Sequence, residues 1–337
     1  MRLFLRISYS FTIHRYFYVN YLRIKNNNNF LGWEKKMKRL AICAVIVLFS
    51  SGYAMATGTW TTFNMMPGAT WTAIYGISGN TLAGSYADTS YNYHGFLYNM
   101  TTQSWTTLNY PGTVYGTHIQ GISGNNVVGY YWNAPGYSTN GNGMLYNMTT
   151  QSYTSLPIGG GAWAIDGSNV LYGSGPFAAV YNITTQMNTM QFLTPNNATL
   201  TGISGSNVVG WYTDNSGNSH GFLSTFNSTT WSSSSTTLDM PGVSGTRLWG
   251  IDGSTIVGRY EDASGNEHGI LYNMTTQSWS TLDAPGSYYS WIWGISGNNL
   301  VGGYYDNNPG EHGFVYTIPE PATLLLLGLG AVMLRRQ

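Results

Sequence analysis

Residues 246–282 read TRLWGIDGSTIVGRYEDASGNEHGILYNMTTQSWSTL, and their pattern decides the fold. Four short runs, Thr246 to Ile251, Thr255 to Tyr260, Gly269 to Tyr272 and Ser278 to Leu282, are rich in β-branched, aromatic and aliphatic residues. Asp-Gly, Ser-Gly-Asn and Asn-Met-Thr-Thr-Gln stand between them, and such residues reverse a strand because they tolerate left-handed backbone or bond to their own turn. The stretch predicts four antiparallel strands joined by hairpins. None of the runs has helical periodicity, so a helical solenoid is excluded.

The same phrase recurs along the chain. Its core is Gly76-Ile77-Ser78-Gly79, Gly121-Ile122-Ser123-Gly124, Ala164-Ile165-Asp166-Gly167, Gly202-Ile203-Ser204-Gly205, Gly250-Ile251-Asp252-Gly253 and Gly294-Ile295-Ser296-Gly297, at spacings of 45, 43, 38, 48 and 44 residues. Six four-strand units at about 44 residues describe an all-β, six-bladed β-propeller. The sixth unit stops after its third strand, Gly313 to Tyr316, and the missing fourth strand stands at the other end. Trp60-Thr61-Thr62-Phe63-Asn64 matches Trp105-Thr106-Thr107-Leu108-Asn109, so the N-terminal strand is expected to complete the last blade and close the ring. A right-handed β-solenoid is the structural alternative and would not need the displaced strand.

Composition places this domain outside the cytosolic average. Of 337 residues only 8% are charged, while 15% are aromatic, which argues against a disordered chain. Between Thr57 and Pro321 twelve acidic residues face two arginines and no lysine, a net of ten negative charges. Nonspecific binding to nucleic acid or to anionic membranes, which needs basic patches, is thereby excluded.

Four segments follow. Residues 1–36, a Tyr/Phe/Arg mixture, read as a mis-assigned extension ahead of a start at Met37. Residues 37–56 read as a signal peptide: Lys38-Arg39, the apolar run Leu40 to Phe49, then Ala54-Met55-Ala56 with small residues at both recognition positions, predicting cleavage after Ala56. Cys43, the one cysteine, lies inside that run, so the mature protein is expected to have no thiol. Residues 57–318 form the propeller. Residues 319–337 comprise Pro319-Glu320-Pro321, an apolar stretch Ala322 to Leu334 and Arg335-Arg336, a short membrane anchor whose arginines would stay cytoplasmic.

That tripartite tail resembles the PEP-CTERM sorting signal of Gram-negative bacteria. The resemblance makes Pro319, Glu320 and Pro321 the recognition motif. It implies an exosortase-type protease-transpeptidase as partner, transient inner-membrane anchoring by the C-terminal helix, and a cell-surface or extracellular destination in bacteria that make exopolysaccharide. The repeat consensus, ending His-Gly-Phe at His94-Gly95-Phe96, His220-Gly221-Phe222 and His312-Gly313-Phe314, resembles the extracellular HAF repeats, with Gly in place of the family's Ala. That family implies location and architecture and no general activity.

Candidate chemistry is sparse. Asp88 with His94, Asp214 with His220, Asp262 with His268 and Asp306 with His312 lie six residues apart, at the two ends of one hairpin loop. An imidazole and a carboxylate so placed can lock the turn. Four blades cannot converge them on one catalytic point or one zinc ion, although carboxylate and Asn oxygens leave room for a weak calcium site. Asp166 and Asp252 replace the turn Ser in non-adjacent units and read as Asx-turn residues. The Asn-x-Ser/Thr sequons at Asn99, Asn147, Asn182, Asn227 and Asn273 read as turn residues, not glycan acceptors. No catalytic residue, resident cofactor or metal ligand is assigned. Function, if local, belongs where the units differ. Four residues before the repeated Ile stand His118, Arg247 and Trp291, and two before it stand Trp249 and Trp293, so these are the candidate ligand contacts at the channel mouth. Arginine pairs with carboxylates and indole faces stack on sugar rings. The expected role is noncatalytic contact with polysaccharide or surface proteins; the alternative is an extracellular glycan hydrolase or lyase at the same mouth.

Overall fold

The computed structural model describes residues 58–319, apart from 64–65, 113–114, 134–140, 174–178, 192–197, 228–231 and 309. The expected extension, the signal peptide with Cys43, Ala54 and Ala56, and the tail beyond Pro319 lie outside the described residues.

After β1 (Thr59–Phe63), five complete blades follow in order. They are β2 (Trp71–Ser78), β3 (Thr81–Ala87), β4 (Tyr93–Asn99) and β5 (Ser104–Leu108); β6 (Thr117–Ser123), β7 (Asn126–Tyr131), β8 (Asn142–Asn147) and β9 (Ser152–Ser155); and β10 (Ala162–Asp166), β11 (Asn169–Tyr172), β12 (Ala179–Asn182) and β13 (Met187–Gln191). The fourth is β14 (Thr199–Ser204), β15 (Asn207–Thr213), β16 (Ser219–Asn227) and β17 (Ser232–Thr237), and the fifth is β18 (Gly245–Asp252), β19 (Thr255–Glu261), β20 (Glu267–Asn273) and β21 (Ser278–Thr281). The sixth contributes β22 (Tyr289–Ser296), β23 (Asn299–Tyr305) and β24 (His312–Thr317), and β1 completes it in the order β1-β24-β23-β22.

The innermost strands touch in a cycle, β2 to β6, β10, β14, β18, β22 and back to β2, so the six sheets form a closed ring. That closure excludes the solenoid alternative, whose end units would not meet. The closing pair runs antiparallel from Thr59↔Thr317 to Phe63↔Gly313. Trp60 packs 4.9 Å from Phe314 and 4.7 Å from Tyr316, and Phe63 lies edge-on to Tyr98 of the first blade at 5.1 Å.

The core lies between blades. Phe96, Met144, Phe222, Ile270 and Phe314, at equivalent points of the third strands, have at most 1% exposure. One cluster joins Val257 of the fifth blade to Ile292, Leu300 and Phe314 of the sixth, and another joins Ile74 and Phe96 of the first to Val301 and Val315 of the sixth. Burying such side chains contributes about 2 kcal/mol each, so the apolar surface between blades is a main source of the ring's stability.

Every innermost strand carries a β-bulge at one register position, at Tyr75, Gln120, Trp163, Thr201, Trp249 and Trp293. A bulge kinks a strand and re-aims its side chains. The residue after each bulge is the small one of the repeat, because the strands close in on the axis there: a Cβ built on Gly202 would lie 3.1 Å from Gly250 Cα, and one on Gly250 3.1 Å from Gly294 Cα. Downstream, a Cβ on Gly258 would sit 2.2 Å from the Arg247 carbonyl oxygen. The second-strand Gly of five blades is thus there for close approach, and the third blade places Tyr172 opposite the small Ala162 instead.

Candidate functional site at the channel mouth

The hairpins divide the ring into two faces. The innermost strands start, and the Asp-to-His loops lie, on the mouth face; the Ser-Gly and Asn-x-Thr-Thr-Gln turns lie on the opposite, turn face.

On the mouth face each Asp-to-His loop satisfies itself. Asp262 Oδ1 accepts the backbone N–H of Ser264 at 2.8 Å and of Asn266 at 2.9 Å, and its Oδ2 accepts Asn266 Nδ2 at 3.1 Å. His268 Nε2 lies 3.5 Å from the same carboxylate, and its Nδ1 meets Asp283 at 2.8 Å. The ring stacks on Tyr260 at 4.9 Å. Asp214, His220 and Asp239 repeat the arrangement, as do Asp88 and His94 with Asn109 in place of the second Asp. His312 Nε2 lies 3.3 Å from Asp306. These hydrogen bonds, from Asn218 and Asn266 backbone foremost, hold the carboxyls of Asp214 and Asp262 down to about 2. Each carboxylate already accepts several N–H donors and few lone pairs remain for a cation. Among the described residues no cluster of three or more His, Cys, Asp or Glu is arranged to hold a metal.

The candidate contacts fall into two layers. Trp249 and Trp293 are bulge residues, 4.5 Å apart and edge-on, and Tyr75 meets Trp293 at 5.7 Å. With Trp163 they ring a channel cavity of about 80 Å³. His118, Arg247 and Trp291 lie nearer the mouth. His118 is 7% exposed, stacked on Tyr130 at 5.2 Å and enclosed by Trp71, Tyr93 and Trp132; burial pushes it down to about 4, so it is a neutral packing group. Trp291 is also 7% exposed and packs on Tyr305 at 5.5 Å. Arg247 reaches back to the fourth blade, with its guanidinium 4.4 Å over the Trp211 ring and Nε donating to Ser219 Oγ at 3.0 Å. Arg259, beside it, is paired with Glu267. The structure therefore does not converge the five on one point: two line the channel, two form a floor and Arg247 stays partly exposed.

Residues that sequence reasoning missed complete the mouth. Glu311, partly buried just before β24, accepts the Trp71 Nε1 proton at 3.2 Å, and burial raises its carboxyl above its ordinary value. Trp71, Tyr93, Trp132, Trp211 and Tyr305 are partly exposed at the mouth ends of their strands. Their signal was the strand ends, where units differ most; Trp71 and Glu311 are 240 residues apart and meet only because the ring closes.

Asp166 and Asp252 do not form a pair. They correct the Asx-turn reading: Asp166 Oδ2 accepts Gly205 N of the next blade at 2.7 Å, and Asp252 Oδ2 accepts Gly297 N at 2.6 Å. Ser78, Ser123 and Ser204 do the same for Gly124, Gly167 and Gly253 at 3.0–3.1 Å. The repeated Ser or Asp is a latch between blades. The sequon side chains cap turns, with Asn99 Oδ1 accepting Thr101 and Thr102 N–H at 2.9 and 3.0 Å, and Asn147, Asn182 and Asn273 likewise.

Among solved structures the chain is similar to TolB from Acinetobacter baumannii (11% identity, TM-score 0.46, 72% of this chain and 65% of that one). It is also similar to the β-propeller domain of the Trilobed protease from Pyrococcus furiosus (10%, 0.45, 74% and 94%) and to oligogalacturonate lyase from Vibrio parahaemolyticus (14%, 0.45, 78% and 98%). The chain thus spans about two thirds of TolB. No curated protein matches it in sequence. Residues 317–337 match the PEP-CTERM protein-sorting motif, which implies exosortase processing and export to the surface or extracellular space with a C-terminal sorting tail.

Proposed function

We propose that the protein is a noncatalytic surface or matrix propeller that binds extracellular polysaccharide at its channel mouth. The observation that carries this reading is the mouth itself: Trp71, Trp132, Trp211 and Tyr305 are partly exposed at the mouth ends of their strands, and the partly exposed Arg247 lies over the Trp211 ring. Ring faces stack on the C–H faces of sugars, and a guanidinium donates to hydroxyl or carboxylate oxygens. The surrounding carboxylates repel polyanions, which favours a neutral glycan.

Calorimetric titration of residues 57–318 with the host's exopolysaccharide, with and without calcium, tests this. Saturable heat that Trp211→Ala and Arg247→Ala each reduce about tenfold in affinity, a loss of about 1.4 kcal/mol, is expected. Absence of heat with the folded domain overturns the reading. One observation favours the enzymatic alternative: Glu311 is held by the Trp71 indole at the mouth and burial raises its carboxyl, a condition that suits a proton donor. Under that alternative the wild type shortens the polysaccharide and Glu311→Gln still binds without shortening it; the noncatalytic reading predicts no shortening by either.

A further inference from the structure

The two chain ends leave the propeller side by side. Thr59 pairs with Thr317, and Ile318 N still donates to Asn298 O at 2.7 Å, so the backbone is held to Ile318 on the turn face. Only Pro319, Glu320 and Pro321 then precede the apolar run that begins at Ala322. Four steps of extended chain reach at most about 14 Å. Charge divides along the same line. Of the eleven carboxylates between residues 58 and 319, nine stand at the mouth end, as do both arginines, and only Asp166 and Asp252 stand at the turn end, each bonded to a neighbouring backbone N–H. The rest of the turn face is mainly Ser, Gly, Asn, Thr and Gln, repeated blade after blade, with Met100, Met148, Ile183 and Met274 half-buried in the turns and Met187 exposed.

We infer that the turn face rests on the lipid bilayer surface while the sorting tail is uncut, and that the channel mouth points away from the membrane. This rests on residues 317–337 acting as a membrane-held sorting tail. A spacer this short keeps the exit face near the headgroups. The opposite orientation would bring nine carboxylates within a Debye length of any anionic lipid, about 8 Å at physiological salt, whereas the turn face has little charge to repel. Strands of seven residues separate the two faces by about 20 Å, enough to distinguish them.

The test uses the full chain in a Cys43→Ser background, produced without the sorting enzyme and collected in membrane vesicles. Single cysteines go into the turn face (Thr102→Cys, Thr276→Cys) and the mouth face (Ser216→Cys, Ser264→Cys), each carrying a bimane, and lipids spin-labelled at the headgroup quench it. Quenching several-fold stronger at both turn-face sites is expected. Equal quenching, or stronger quenching at Ser216 and Ser264, overturns the orientation while leaving the tail intact. Alkaline carbonate extraction precedes the measurement; a chain released by it refutes the membrane-held tail and the orientation with it. Two sites per face ensure that one unstable variant does not decide the result.

Discussion

At the residue scale the most repeated device is the carboxylate of the Asp-to-His loop, and its titration sets a pH signature. Asp214 and Asp262 are held down to about 2, against an unfolded value near 3.9. Their contribution is present above the unfolded value and is lost as pH falls through about 2. His220 is raised, chiefly by Asp239; His268 is raised by Asp283 against the opposing effect of burial. Their contribution is complete below about 6.5 and is lost as pH rises through their raised values. Melting temperature should therefore be highest between about pH 4 and 6, and Asp262→Asn should flatten the acid limb and lower the plateau. A profile that is flat in the wild type from pH 2 to 8 would show that these loops do not hold the fold. The Asp, the His and their spacing were legible in the sequence. The second partner of the imidazole, Asp239 or Asp283, was not, because it follows the fourth strand and reaches the ring only after the blade is assembled.

At the scale of elements, the latch links the innermost hairpins of the first five blades each to the next blade. Asp252→Ala removes the acceptor for Gly297 N and should cost about 1 kcal/mol in urea unfolding. Asp166→Ala should cost a similar amount, and because the two latches lie at non-adjacent junctions the double variant should lose their sum. A change near zero in both would mean that water replaces the carboxylate without loss. Strand positions and turns were readable within each unit, since period-two patterning and turn residues are local properties. The bulge at Trp249 and its equivalents was not, because no residue type is common to Tyr75, Gln120, Trp163, Thr201, Trp249 and Trp293; the invariant is the Gly or Ala after it, whose need for close approach appears only around the axis. The same holds for the mouth. His118, Arg247 and Trp291 were found as differences between units, but their partners Tyr130, Trp211 and Tyr305 lie on other strands, and those partners turn two of the three into a buried floor.

At the scale of the molecule, one strand makes six sheets a ring. β1 alone covers the edge of β24, and it brings the chain's entry and exit to one point, which places the sorting motif beside the turn face. The displaced Trp60-Thr61-Thr62-Phe63 was the sequence feature that foretold this, since a repeat array without closure has no use for it. The mouth, the inward-packed aromatics and the proposed membrane orientation all depend on that closure. The measurement that tests it most directly is thermal unfolding of residues 57–318 beside a variant that begins at Met66. Removal of β1 strips Trp60 from Phe314 and Tyr316 and bares the edge of β24. Losing that aromatic packing costs about 3–5 kcal/mol, so the midpoint should fall by roughly 5–10 °C. The shortened chain should also aggregate through the bared edge of β24, and a synthetic Gly58–Phe63 peptide should restore the midpoint. An unchanged midpoint, with no effect of the peptide, would contradict a ring closed by its first strand.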